Sequence, residues 1–355
     1  MSNLEIPILI SGVGGGSLGR ELIKAFKMAN HEYKIVATDI NQNSIGFFET
    51  NYRYIVPKAS SPNYIEIMLK ICQKEKIKVL VAGSEPEIEI IAENQKVFSE
   101  IGIEVLSNPW NVIKKCVDKF GIMNFLNTKG IRCPMTKLFE NETDLNQFTS
   151  YPIIIKPRFG SGSRNVFIAY DKEDALQFIK YLKKYGHEVI LQEHIGNYEE
   201  EFTIGVIFAD NGKLCTSIAM KRILEGGIST REISINPTNR KKYVISSGIS
   251  QGYFEDFKEI RKVGEKIAEI LGANGPINIQ CRNTQSGIVP FEINPRFSGT
   301  VALRSLVGHN EPDMMLRYRL FNEIPKKSFP KFGLVLKDFT ERLITEQDMQ
   351  NFQKI

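Results

Sequence analysis

Residues 6–107 alternate between short β-branched apolar runs and segments of helix length, and that alternation confines the start of the chain to one kind of fold. The runs are PILISG, YKIVATDI, RYIVP, IKVLVAGS and IEVLSNP, with helix-like segments at 18–29, 63–75 and 86–100. Strands separated by whole helices are not joined by tight hairpins. They pair in parallel, and the helices cover the sheet. The first run opens into Gly14-x-Gly16-x-x-Gly19 and Asp39 closes the second, the spacing of a dinucleotide-binding turn. Asn108-Pro109 is the expected boundary.

Past that boundary the alternation stops. Residues 110–130 read as one helical segment, ended by Lys129-Gly130. YPIIIKPRFGSGSRNVFIAY reads as a strand, a glycine-serine turn and a second strand. Helix-like 172–185 and strand-like EVILQEHI follow, then antiparallel strands turning at Asn211-Gly212. Helix-like 254–271 precedes the strands GPINIQCRN and GIVPFEINPRF and a helical 299–308. The Lys/Pro-rich stretch after about 325 reads as partly irregular. This region is α+β in character.

Composition removes several classes of function. With 46 basic and 41 acidic residues the net charge is +5, too dilute for a nucleic-acid partner. No apolar run approaches membrane-spanning length, and no secretory leader is visible. The five cysteines (Cys72, Cys116, Cys133, Cys215, Cys281) are scattered without a C-x-x-C, as expected of reduced thiols in a cytoplasmic protein. Four unpaired histidines argue against zinc.

Three stretches carry chemistry. Lys156 ends an apolar strand beside Gly160-Ser161-Gly162-Ser163, a cation next to a loop whose amides can approach a polyphosphate. Read alone, this is equally a hairpin turn with a solvated lysine. Glu193, Glu199 and Glu201 flank two strand-like runs, where carboxylates can accept bonds from an amino group or ribose hydroxyls. Alone, they read as a solvated acidic loop. Gln280 lies on one strand, and Glu292 and Asn294 lie at i, i+2 on the next, with Arg296 two further along. That spacing sets oxygen donors suited to Mg²⁺ on one face, with a guanidinium beside them. A solvent-facing strand reads the same way.

Taken in order, Asp118-Lys119, Lys156 and its loop, Glu193, Glu199/Glu201, and then Gln280, Glu292, Asn294 and Arg296 resemble the ATP-grasp superfamily. Within it the chain is similar to stand-alone proteins related to the large subunit of carbamoyl phosphate synthase. The likeness runs from about residue 6 to about 320 and is most specific at FEINPRFSG. It implies a Rossmann-like domain over 1–110 and a two-part grasp fold over 111–325 (111–190 and 191–325), with a tail at 326–355. It also implies that Lys119 and Lys156 meet the phosphates of ATP and that loop 160–163 closes over them. Glu193 and Ile195 would meet the adenine, and Glu199 or Glu201 the ribose. Gln280, Glu292 and Asn294 would hold Mg²⁺, with Mn²⁺ as the alternative ion. Arg296 would steady a phosphoryl group or acyl phosphate, making it and Lys156 the catalytic groups.

The activity so implied is ligation of a small-molecule carboxylate to an amine or other nucleophile through an acyl phosphate, with a homodimer as the candidate assembly. Two departures stand out. The synthase resembled carries two grasp modules where this chain has one, and the family's substrate-loop histidine is replaced by Ser229 in GGISTRE. The basic residues of that stretch, Lys221, Arg222 and Arg231, are candidates for the acid substrate or for an ordinary surface hairpin. A Rossmann oxidoreductase and a nucleotide-binding module without chemistry stay open as alternatives.

Overall fold

The computed structural model describes residues 5–160, 162–209, 212–236, 239–324 and 330–354. Its first part is built from β1 (Ile6–Ser11), α1 (Leu18–Lys27), β2 (Tyr33–Asp39), β3 (Tyr52–Ile55), α2 (Tyr64–Lys74) and β4 (Val79–Val81). It is completed by α3 (Glu85–Glu93), α4 (Gln95–Glu100) and β5 (Glu104–Val105). The single helix expected over 86–100 is thus two helices, broken at Asn94. The strands pair in parallel in the order β3-β2-β1-β4-β5. Ile8 and Ile10 pack with Leu22 and Phe26 of α1 on one face, while Leu9 and Leu80 pack with Met68 and Ile71 of α2 on the other. Burial on both faces is why these strands read as continuous apolar runs.

The glycine turn lies between β1 and α1. A Cβ on Gly19 would stand 2.4 Å from the Gly12 carbonyl oxygen and 2.6 Å from that of Ser11. Its lack of a side chain is what lets the helix start against the strand.

The second part begins with α5 (Trp110–Val117) and α6 (Lys119–Thr128), two helices where one was expected. The break is Asp118, whose backbone is extended and whose carboxylate accepts from the amides of Phe120 and Gly121 at 3.2 and 3.1 Å. That cap starts a new helix. Next come β6 (Thr136–Leu138), β7 (Ile153–Pro157), β8 (Phe167–Ala169), α7 (Lys172–Lys184) and β9 (Val189–Glu193). The strands form an antiparallel sheet in the order β6-β9-β7-β8, on which α7 packs Ala175, Ile179 and Leu182.

The third part contains β10 (Glu201–Ala209), β11 (Lys213–Arg222), β12 (Thr230–Ile235), β13 (Lys242–Ser246), β14 (Gly252–Phe254) and α8 (Lys258–Leu271). It continues through β15 (Pro276–Thr284), β16 (Gly287–Asn294), α9 (Val301–Leu306), α10 (Glu311–Phe321), β17 (Gly333–Val335) and α11 (Glu346–Met349). A six-stranded sheet runs β16-β15-β10-β11-β14-β17, and β12-β13 stand apart as a hairpin. α8 covers one face, packing Ile267, Ala268 and Leu271 on Ile204, Val206, Ile277 and Ile279. Of the turn expected at Asn211-Gly212, Asn211 lies outside the described residues.

The stretch expected to be partly irregular carries two short elements, β17 and α11, between irregular segments. β17 pairs with β14, extending the sheet past residue 325. The chain then crosses to the first part, where Lys337 meets Glu21 at 2.9 Å and Phe352 packs edge-on against Phe47. The five cysteines are free thiols, and among the described residues no helix is long and apolar enough to cross a membrane.

Candidate active site

A pocket opens between the four-stranded and six-stranded sheets. Lys119, Lys156, Gly160, Ser163, Glu193, Ile195, Glu201, Gln280 and Glu292 all line it. They come from separate elements, and only the two sheets folding over each other bring them together.

Lys156 projects from β7, which pairs antiparallel with β9. Its ammonium donates to Gln192 Oε1 at 2.8 Å, and Gln192 in turn donates to Thr136 Oγ1 at 3.0 Å. Burial pushes the Lys156 pKa down to about 8, against the opposing pull of Glu292. Lys119, the first residue of α6, donates to the Gly160 carbonyl. Burial lowers its pKa as well, with Glu292, Glu85 and Asp118 opposing. The start of α6 is fixed to the end of β7 by Arg158, which binds both oxygens of Asp118 at 2.8 and 2.6 Å. Those bonds hold the Asp118 carboxyl below its ordinary range.

Of the glycine loop, Gly160 and Ser163 face the pocket and Gly162 is not among its lining residues. Ser161 lies outside the described residues. At the far end Glu193 accepts from the Met135 amide at 3.2 Å. His194 is pushed down to about 3 by burial, with Arg282 adding to the effect, so its imidazole is neutral. The two ribose candidates separate. Glu199 sits exposed on a short 3₁₀ turn outside the pocket lining, whereas Glu201 is buried within it. Glu201 is also fully engaged: Arg282 binds its Oε2 at 3.0 and 2.9 Å and Arg222 binds its Oε1 at 2.5 Å.

The β15–β16 register places Gln280 opposite Glu292 and Asn278 opposite Asn294. Glu292 accepts from Asn294 Nδ2 at 3.2 Å, and Gln280 Oε1 accepts from Arg222 at 3.1 Å. One carboxylate and two amide oxygens are hard donors of the kind Mg²⁺ and Mn²⁺ accept when phosphates and water complete the shell. The Asn294 amide must turn over to present its oxygen.

Arg296 corrects the sequence reading. β16 ends at Asn294, and the Arg296 amide bonds back to the Asn294 carbonyl at 2.8 Å, so Arg296 does not continue the row. Proline at 295 cannot extend the ladder, and the alternation of faces stops with the strand. The Arg296 side chain instead donates to Glu85 at 2.7 Å and to the Phe297 carbonyl at 2.9 Å, joining the first part of the chain to the third. The basic residues 221, 222 and 231 disperse. Lys221 pairs with Glu200 at 2.5 Å, Arg222 is buried against Glu201, and Arg231 reaches the glycine loop. Ser229 is buried.

The sequence reading missed Gln192, His194, Arg282 and Phe291, all of which line the pocket. For Arg282 the signal was present, because it follows Gln280 at i+2 on an apolar strand and therefore shares its face.

Comparison with known proteins agrees with this architecture. Residues 8–106 match the PylC-like N-terminal domain and residues 116–227 the RimK-like ATP-grasp domain. Residues 187–341 match the ATP-grasp found in the biosynthetic pathway with the Ter operon. The chain is 23% identical over 300 residues to the carbamoyl phosphate synthase large chain of Thermotoga sp. (strain RQ2), covering 81% of this chain and 26% of that protein. It is 22% identical over 286 residues to the C-terminal section of that large chain from Aquifex aeolicus, covering 78% of this chain and 49% of that one. The chain thus spans only a part of the curated relatives it matches. Among solved structures, N5-carboxyaminoimidazole synthetase from Staphylococcus aureus complexed with ADP superposes with a TM-score of 0.65 at 15% identity, covering 94% of this chain and 82% of that one. A biotin carboxylase complex from Campylobacter jejuni gives 0.65 at 14% identity, covering 92% and 73%. These likenesses show the fold. With the domain matches over 116–227 and 187–341, the chain carries ATP-grasp domains and is homologous to the carbamoyl phosphate synthase large chain.

Proposed function

We propose that this protein is an ATP-dependent ligase that activates a small-molecule carboxylate as an acyl phosphate for attack by an amine or another nucleophile, releasing ADP and phosphate. The observation that carries the reading is the convergence in one pocket of two lysines, a glycine loop and the Gln280/Glu292 pair. Lys156 and Lys119 neutralise phosphate charge from fixed positions. The pocket's apolar walls, Ile154, Ile168 and Phe291, suit a nucleobase beside Glu193 and Ile195. Of the two ribose candidates Glu201 lines the pocket and Glu199 does not, which supports Glu201. Gln280, Glu292 and Asn294 would hold Mg²⁺ or Mn²⁺, which supplies charge neutralisation at the phosphates. Arg296 borders the first domain and would steady the transferred phosphoryl group once the acid is bound. The domain division that fits these roles is 1–110 for the Rossmann-like part and 111 onward for the grasp part, with residues 333–335 included in it. S. aureus N5-carboxyaminoimidazole synthetase is described with ADP, which supports the choice of nucleotide.

The glycine turn does not favour the oxidoreductase alternative. Gly19 is accounted for by the close approach of α1 to β1, and Asp39 is buried with Oδ1 accepting from the Asn41 amide. The test is thermal denaturation with Mg²⁺-ATP and with NADH. A ligand that binds only the folded protein raises its melting temperature. Stabilisation by Mg²⁺-ATP is expected, and stabilisation by NADH alone overturns the proposal.

A further inference from the structure

The described residues of the glycine loop are braced by side chains from other elements. Gly162, Ser163 and Asn165 have φ of +66°, +54° and +58°, so two residues with side chains adopt the left-handed conformation. Such a backbone makes no helical ladder of its own. Three of its carbonyls are held instead by cations from other elements. Lys119 takes Gly160, while the two terminal nitrogens of Arg231 take Ser163 and Val166 separately. Arg231 stands on β12, in the hairpin attached to the other sheet.

A trans peptide points its carbonyl and its N–H in opposite directions. Fixing the Ser163 carbonyl on Arg231 therefore turns the Arg164 N–H to the other side. Ser163 and Arg164 both line the pocket. Backbone amides turned to one side by left-handed residues form an anion-binding concavity. The hairpin's own position does not depend on Arg231. Tyr170 bonds Ser234 at 2.5 Å, the rings of Tyr170 and Tyr243 lie 5.6 Å apart, and Ile168 packs with Ile245.

We propose that Arg231 is a positioning residue: by holding the Ser163 and Val166 carbonyls it presets the loop amides, the Arg164 N–H first, for the terminal phosphates of the nucleotide. This rests on the nucleotide reading given above. Holding two carbonyls at once needs the planar fork of a guanidinium. Lysine keeps the charge but grips one.

The test uses the full chain and its Arg231→Gln and Arg231→Lys variants. Affinities for Mg²⁺-ATP and for AMP are measured by calorimetry, and deuterium uptake is followed in the peptide covering 158–167. For Arg231→Gln we expect ATP to bind about tenfold more weakly, AMP affinity to hold, and uptake to rise in that peptide. Arg231→Lys should fall between the two. Unchanged ATP affinity, an equal loss for ATP and AMP, or a lysine variant equal to the parent overturns the proposal. If the parent chain binds no ATP, the nucleotide reading fails. The clamp is still judged by deuterium uptake, and unchanged uptake in Arg231→Gln refutes it independently.

Discussion

Replacing Lys156 with methionine should make the ligand-free protein more stable while removing its response to ATP. Burial lowers the Lys156 pKa from 10.5 to about 8. A difference of that size corresponds to about 3 kcal/mol by which the folded state disfavours the ammonium. Methionine keeps the reach and the packing without the charge. It also gives up the bond to Gln192 and leaves that oxygen unpaired, a loss of about 1–3 kcal/mol. The balance is a gain of about 1 kcal/mol, or roughly 2 °C in melting temperature. The pH dependence fixes the sign. The pKa is depressed on folding, so the unfolded chain holds the proton more tightly between pH 8 and 10.5. Stability of the parent therefore rises with pH across that window. The variant lacks this rise, so its advantage is full below pH 8, disappears about one pH unit above that and is reversed toward 10.5, where only the lost Gln192 bond remains. Melting curves at pH 7 and pH 10 with and without Mg²⁺-ATP are the assay. A variant less stable than the parent at neutral pH, or an advantage that does not shrink with pH, refutes the burial argument. A persisting ATP-induced shift refutes the phosphate contact.

Glu292→Gln or Asn294→Ala should abolish ATP-dependent turnover while shifting the melting temperature by no more than about 2 °C, since Glu292 lines the pocket and Asn294 is bonded to it at the strand end; near-parental turnover in either refutes the metal assignment. Arg304 and Glu311 form an ion pair, 0% and 1% exposed, with bonds of 2.8 and 3.1 Å. Arg304→Met should cost about 3–5 kcal/mol by stranding the Glu311 charge, and adding Glu311→Leu should restore most of it, as denaturant melts will show. With a productive substrate pair, ¹⁸O in the carboxylate should appear in the released phosphate alongside ADP; AMP, or unlabelled phosphate, refutes the acyl-phosphate route.

The parallel sheet was legible because its strands are buried on both faces and its helices are amphipathic, which is information carried within some ten consecutive residues. The breaks at Asn94 and Asp118 were not, because a residue that ends one helix and caps the next leaves the apolar period intact. Asp118 does both: its carboxylate caps α6 and also pairs with Arg158, 40 residues away. The tail's two short elements were not legible because their order is tertiary. β17 has a partner 80 residues back in β14, and Phe352 packs on Phe47.

Arg296 shows where alternation stops being informative. Residues at i, i+2 and i+4 share a face only while the backbone stays extended, and Pro295 ends that condition one residue past Asn294. Gln280 and Glu292 are brought opposite one another because both lie inside paired strands, and Arg282 shares their face for the same reason. Beyond the strand the direction of a side chain is set by whatever lies opposite, and for Arg296 that is Glu85, 211 residues earlier in the chain. Glu85 stands at the start of α3, where an acidic side chain is favoured by the helix dipole whether or not a cation is near. In the fold it ties Arg296, just past Glu292 and Asn294, to the first part of the chain. That pair joins the first part of the chain to the segment that follows β16, and no local pattern in either segment discloses it.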